Sequence, residues 1–283
     1  MYAVEEQWID LMSVKIEQGH ASISYGTLAT SLALFALIAL LAFSGDRWIA
    51  RFPPLPDFSS YKQVDEMKAA FFHYLSPIVE YHNRKILNER ERLEAIHKLI
   101  ESGNTPSRSE SKWLRRLANK YNVEWNDVEM AVTTQELLLR VDMIPVDLAV
   151  IQAAKESSWG RSRYAKKINN LFGQWCYKKG CGVVPRERSD GARHEVRKYQ
   201  SVSDATRSYL HNLNSHRKYS KLRQLRQELR QKGRQLDAGD LVDGLIYYSE
   251  RRQQYVDEIR AMIRQYGYFH DHQASGTQAE TKA

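Results

Sequence analysis

The nine residues from Val146 to Ala154, VDLAVIQAA, are the segment that most narrows what this chain can become. Only Asp147 and Gln152 are polar among them, and Pro145 just ahead suits the first turn of a helix. A helix apolar on nearly every side has no face to give to water, so other elements must wrap it. The pattern predicts a helix inside a fold, ending before Gly160, where glycine lets the chain turn away. Glu156 stands at its end. A carboxyl at the mouth of such a helix is partly desolvated, which raises its pKa toward the range where it donates a proton near neutral pH. The plain alternative is a salt bridge from Glu156 to Lys155, Arg161 or Arg163.

The rest of the chain offers the wrapping elements. Ser76 and Pro77 read as a cap and first-turn pair, with Val79, Ile86, Leu93, Ile96 and Ile100 following at helical spacing up to Gly103. After the break SGNTPSRSES, a shorter helix carries Trp113, Leu114, Leu117 and Tyr121 on one face. Thr133 with Glu136 is a capping-box signal for another helix, and Ser201 with Asp204 for a further one. HRKYSKLRQLRQELRQKG ends at Gly233 and RRQQYVDEIRAMIRQYG ends at Gly267. Its arginines alternate with Leu222, Leu225 and Leu229, which predicts a solvated basic face over a core and gives no nucleic-acid motif. Between these helices, RHEVRKY alternates in strand fashion and SDG marks a turn, so a β-hairpin is expected there.

From Ala21 to Gly45 there is no charged residue, and TLATSLALFALIALLAF, residues 27 to 43, is almost unbroken apolar sequence. At about 1.5 Å per residue it spans roughly 26 Å, enough to cross a bilayer core as one helix. The rival reading is a cleaved signal, with Ala42 and Ser44 as the small residues before Gly45. Forty-two Lys and Arg against 34 Asp and Glu, a formal charge of +8, favour an anionic partner such as nucleic acid, a membrane face or cell wall. Arg47 and Arg51 after the span lean weakly toward a cytoplasmic C-terminal side, a rule with little force for long translocated domains. Three prolines in RFPPLPDFSS make an extended spacer, and DHQASGTQAETKA is a polar, disordered end.

ESSWG at 156 to 160, NNLFG at 169 to 173, HEVRKYQS at 194 to 201 and YLHNLNSHRKY at 209 to 219 together resemble the glucosaminidase domain of glycoside hydrolase family 73, most closely its Bax-type members. The resemblance spans residues 140 to 266 and, more loosely, the helical stretch from 62 to 139. It implies a mainly α, lysozyme-like α+β fold with a small β-hairpin lobe beside a glycan groove. It also implies cleavage of the β-1,4 bond on the reducing side of N-acetylglucosamine in peptidoglycan, with Glu156 in the place of the catalytic acid. The family's second acid precedes a glycine turn, where this chain has Glu187, with Glu195 and Asp190 as competitors. A late functional tyrosine follows an Asp-Pro pair in the family. YYSERRQQYVDEI lacks that pair, and Tyr255 is the candidate with Tyr248 second.

Sugar rings pack their C–H faces on aromatic rings, which makes Trp159, Phe172, Tyr199, Tyr209, Tyr219 and Tyr248 candidates for the groove, each equally a core residue. Asn170 either shapes the floor near the acid or serves a turn. Cys176 and Cys181, five positions apart in WCYKKGCG, close a small disulfide loop in an oxidising compartment or remain free thiols. They are too few for a zinc site, and neither metal nor cofactor is expected.

The organisation read from the sequence is an arm (1–26), a transmembrane helix (27–45), a linker (46–61), a helical segment (62–139), the glucosaminidase domain (140–268) and a tail (269–283). The expected function is an inner-membrane peptidoglycan hydrolase with its catalytic domain in the periplasm, acting on glycan strands and not on nucleic acid. A muramidase or lytic transglycosylase on the same scaffold is the nearest alternative. A non-catalytic glycan-binding module tethered to the membrane is the other.

Overall fold

The computed structural model describes residues 52–266, except 187, 189 and 190. The apolar run at 27–43 and the tail lie outside the described residues. No helix among those described is long and apolar enough to cross a membrane.

The first helix, α1 (Val64–Glu101), is the long wall of the fold. Ser76 and Pro77 do not begin it. The helix runs straight through Pro77, and Ser76 is buried in mid-helix. The apolar face explains the difference: Met67, Phe71, Phe72 and Leu75 before the proline continue into Ile78 and Val79 after it, all buried. Burial of that whole stripe outweighs the one backbone hydrogen bond and the strain that a mid-helix proline costs.

Next come α2 (Arg108–Lys120) and α3 (Met130–Arg140). Leu114, Leu117 and Tyr121 are buried as the stripe predicted, and Ser107 with Glu110 forms a reciprocal capping box. Thr133 is not a cap. It lies inside α3 and its hydroxyl donates to the Glu129 carbonyl one turn back, so the helix begins four residues earlier than the Thr-Glu signal suggested.

The apolar segment forms α4 (Val146–Ser157), and every residue from Leu148 to Ala154, Gln152 included, is buried. Against it pack α1 and α9 (Gln253–Tyr266), while α3, α6 (Val202–Ser215) and α7 (Ser220–Gln231) belong to the same hydrophobic core. Short helices α5 (Arg163–Ile168) and α8 (Ala238–Leu241) complete the helical part. Ser201 caps α6, accepting from the Asp204 amide at 3.1 Å, as its sequence predicted. The chain is thus mainly helical.

The basic helix α7 departs from expectation. Leu222 and Leu229 are buried, but so are Arg223 and Arg226. Arg226 donates to the carbonyls of Leu139, Arg140, Asp142 and Met143 and to Asn214 Oδ1. A guanidinium with this many fixed acceptors is accommodated where a lysine would not be.

The hairpin is part of a three-stranded antiparallel sheet ordered β1-β3-β2, from β1 (Trp175–Cys176), β2 (Gly182–Val183) and β3 (Glu195–Arg197). The segment HEVRKY supplies the central strand, paired with Val183 on one side and Trp175 on the other, both opposite Val196. Cys176 and Cys181 are joined as a disulfide across the β1–β2 loop. The Glu195 carboxylate accepts from the Gly180 and Gly182 amides at 2.9 and 2.8 Å. Those bonds hold it below the usual carboxylate range, and they engage Glu195 in building the loop.

Candidate active site

Gln152 and Glu156 lie one turn apart on α4 and so share a face, which is turned toward Tyr255 on α9. Burial raises the Glu156 carboxyl above its ordinary pKa. A hydrogen bond with Tyr255 and the charges of Lys155 and Arg251 oppose that rise without cancelling it. The salt-bridge alternative fails at each cation. Lys155 pairs with Glu258 at 2.6 Å, Arg161 donates to the Ser158 carbonyl, and Arg163 lies over the Tyr164 ring.

The backbone beyond Glu156 is unusual. Ser158, Trp159 and Gly160 take φ values of 52°, 59° and 75°, three successive left-handed residues of which only the last is a glycine. Ser157 pins the run: its hydroxyl donates to the Ala153 carbonyl at 2.6 Å and accepts from the Gly160 amide at 2.8 Å. A Cβ on Gly160 would meet the Phe58 ring at 2.7 Å, so the glycine answers both the conformation and the close packing. Strain of this sort, immediately after the acid, fixes where the helix ends and hence where the carboxyl sits.

NNLFG forms the facing turn. Asn170 is buried, its amide donating to the carbonyls of Gln174 and Arg197 and its oxygen accepting from the Gln174 amide. It clamps the turn to β3, and of its two readings the turn role is the one its contacts show. Gly173 at φ +63° lies against the acid, and a Cβ there would stand 3.0 Å from Glu156 Oε2.

Five of the sequence-selected aromatics come together beside Glu156. Phe172 stacks on Tyr209 with centroids 4.1 Å apart, and Tyr248 stacks on Tyr255 at 5.4 Å. Tyr248 also meets Tyr209 and Tyr219, and its hydroxyl donates to the Phe172 carbonyl at 2.7 Å. Phe172, Tyr209 and Tyr255 are at most 1% exposed, so their ring faces meet protein and belong to the core. Burial pushes the hydroxyls of Tyr209, Tyr248 and Tyr255 well up, which keeps them neutral donors. Trp159 and Tyr199 lie elsewhere. Trp159 packs on Phe71, Phe72 and Tyr266, and the Tyr199 hydroxyl meets Gln174 and Ser208. Glu187 and Asp190 lie outside the described residues.

Sequence reasoning passed over four groups. Gln152 was only a polar exception in an apolar helix, and its i, i+4 spacing to Glu156 was the available signal. Trp175, 49% exposed and stacked on His194, and Tyr247, 50% exposed with Arg252 over one face, are exposed rings close in sequence to the NNLFG turn and to Tyr248, though Tyr177 is more exposed still. Glu258 is the fourth. It accepts from Lys155 and, through both oxygens, from Arg251, which holds its own carboxyl at about 2.

Glu258 therefore occupies two cations that would otherwise face Glu156 alone. Glu258→Gln is expected to release them, lower the Glu156 pKa by about one unit and move the alkaline limb of any Glu156-dependent activity down by the same amount. A pH–rate profile of the variant checks this, and an unmoved limb would show that Glu258 shields nothing.

The glucosaminidase family, described as mannosyl-glycoprotein endo-beta-N-acetylglucosaminidase, matches residues 131–268. The chain is similar to Protein bax of Escherichia coli (strain K12), 32% identical over 215 residues, which cover 76% of this chain and 75% of that protein. No solved structure matches it significantly.

Proposed function

The chain belongs to the glucosaminidase family, in its Bax-type branch, and from that premise we propose that it is an endo-β-N-acetylglucosaminidase of the bacterial cell wall. A glycan is the substrate class that the family implies. The observation that carries the finer reading is the Glu156 carboxyl: half-buried, raised in pKa by the desolvation it does suffer, free of any salt bridge among the described residues and hydrogen-bonded by Tyr255.

Glu156 in its protonated form donates to the glycosidic oxygen as the C1–O4 bond breaks, so the leaving sugar departs as a neutral alcohol. Water completes the reaction, its hydroxyl going to the anomeric carbon and its proton returning to the carboxylate. Developing positive charge on the sugar is met by Glu187 or by the substrate's own acetamide oxygen. Exposed Trp175 and Tyr247 are better placed to take sugar faces than the buried rings, with Tyr248 at the margin.

The protein works in the periplasm on peptidoglycan, tethered to the inner membrane by residues 27–45. The Cys176–Cys181 disulfide supports an oxidising compartment, and the apolar run supports the tether. A topology reporter fused after Ala283 is expected to read periplasmic, and a cytoplasmic signal would overturn the placement.

Digestion of purified cell wall followed by mass spectrometry of the new chain ends tests the activity. N-acetylglucosamine reducing ends are expected. Muramic acid ends would make it a muramidase, anhydro-muramic ends a transglycosylase, and binding without release would leave a glycan-binding module.

A further inference from the structure

Beneath the acid lies a row of polar groups with no solvent access. Tyr209 on α6 donates its hydroxyl hydrogen to Gln152 Oε1 at 2.5 Å, Gln152 Nε2 donates to the Tyr255 hydroxyl at 2.9 Å, and Tyr255 meets Glu156. Gln152 and Tyr209 are fully buried and Tyr255 is 1% exposed, so water cannot stand in for any partner.

We propose that Tyr209 and Gln152 are positioning residues that commit the Tyr255 hydroxyl to donate toward Glu156, so that the acid's transferable proton sits on the oxygen that Tyr255 does not occupy. This deepens the reading of Glu156 as general acid and rests on it. Direction passes along the row by donor and acceptor inventory alone. A glutamine amide has one end that only accepts and one that only donates. The Tyr209 hydrogen has no other acceptor among the described residues, so it takes the carbonyl end of Gln152. The amino end is thereby turned to Tyr255, whose oxygen accepts, and whose single hydrogen is left for Glu156. Turning the amide over would orphan the buried Tyr209 hydrogen and point a tyrosine lone pair at a carboxylate, and each of those is costly away from water.

The charged and titratable groups that face Glu156 are Lys155 on its own helix, Arg251 and Tyr255 from α9 and the turn before it, Tyr209 from α6, and Tyr219 and Tyr248. Lys155 and Arg251 are held by Glu258, which leaves Tyr255 as the donor whose direction decides how well the carboxylate is stabilised.

Tyr209→Phe removes one hydroxyl and keeps the ring stacked on Phe172. The test is the pKa of Glu156, read by NMR of protein labelled at the glutamate carboxyl carbon and assigned by the resonance missing in Glu156→Gln. Freed of its anchor, the amide turns over, Tyr255 donates less to the carboxylate, and the Glu156 pKa rises by about one unit. Tyr255→Phe is expected to raise it at least as far, and adding Tyr209→Phe to that variant to raise it no further, because the effect passes through Tyr255. Gln152→Glu, nearly the same volume, places an acceptor at both ends and raises the value too, so it carries the test if Tyr209→Phe does not fold. An unchanged Glu156 pKa in either folded variant, or equal and additive shifts in the double variant, would overturn the relay. The readout needs no substrate, so an inactive parent protein would count against the hydrolase reading and leave this result standing.

Discussion

Glu156→Gln is expected to keep the fold and to lower wall cleavage by about 10²–10⁴-fold, the usual worth of a general acid. The amide matches the carboxyl in size and still accepts from Tyr255, but it has no proton to give to a glycosidic oxygen. Stability separates this outcome from simple damage. Burial sets the Glu156 pKa above its unfolded value, so the folded chain holds its proton to higher pH than the unfolded chain does. Stability therefore falls as pH rises from the ordinary carboxylate range through the folded value, and stays lower above it. The amide variant escapes that loss. It should be at least as stable as the parent at pH 7, with the advantage vanishing once pH drops below the usual carboxylate range. Denaturant melts at both pH values, run beside the digestion assay, check the pair of statements. A folded variant with full activity would remove Glu156 from the chemistry, and one less stable at pH 7 than the parent would contradict the burial of the charge.

The sequence made Glu156 legible because two independent patterns met there: an apolar helix that had to be interior, and a set of ordered motifs. Tyr255 was singled out only through the motif order, and the fold brings it, on α9, onto the face of α4 that carries Gln152 and Glu156. The misreadings share a cause. Ser76-Pro77 and Thr133-Glu136 are local signals for a helix start, and long-range burial of α1 and α3 overrode both. Arg226 looks like surface charge because spacing cannot show the carbonyls of residues 139 to 143 waiting on another part of the chain, and Arg223 because it cannot show the Leu213 and His216 carbonyls turned back toward α7. For Gln152 the sequence offered only its spacing to Glu156, for the same reason. Its meaning lies in Tyr209 and Tyr255, which are remote in sequence and adjacent only in the fold.

Asp142→Asn is expected to bring the largest loss of stability, about 3–5 kcal/mol, because it removes the one carboxylate that balances a buried cation. Asp142 is 1% exposed and accepts from Arg230 at 2.8 and 3.1 Å and from the Met143 amide at 2.8 Å, with Arg226 and Arg90 at 3.7 and 3.5 Å. Burial alone would raise this carboxyl, but the Arg230 hydrogen bonds and the Arg226 and Arg90 charges outweigh it and hold its pKa below the usual value. A depressed folded value means that the stabilisation is present above the unfolded pKa and is lost as pH falls through the folded one. The parent should thus lose stability on acidification where the variant does not, and the gap between them should be widest near neutrality. For a unit of about 215 residues, 3 kcal/mol corresponds to a drop of roughly 10 °C in Tm, readable by calorimetry. Arg226 would keep its carbonyl acceptors, so the position of the loop leading into α4, and with it cleavage measured well below Tm, should survive. Pairing Asp142→Asn with Arg226→Met supplies the control. If uncompensated charge is what destabilises the single variant, the double variant loses less than the sum of the two singles. Strict additivity would mean that the carbonyl cradle alone holds Arg226 and that Asp142 matters only through Arg230.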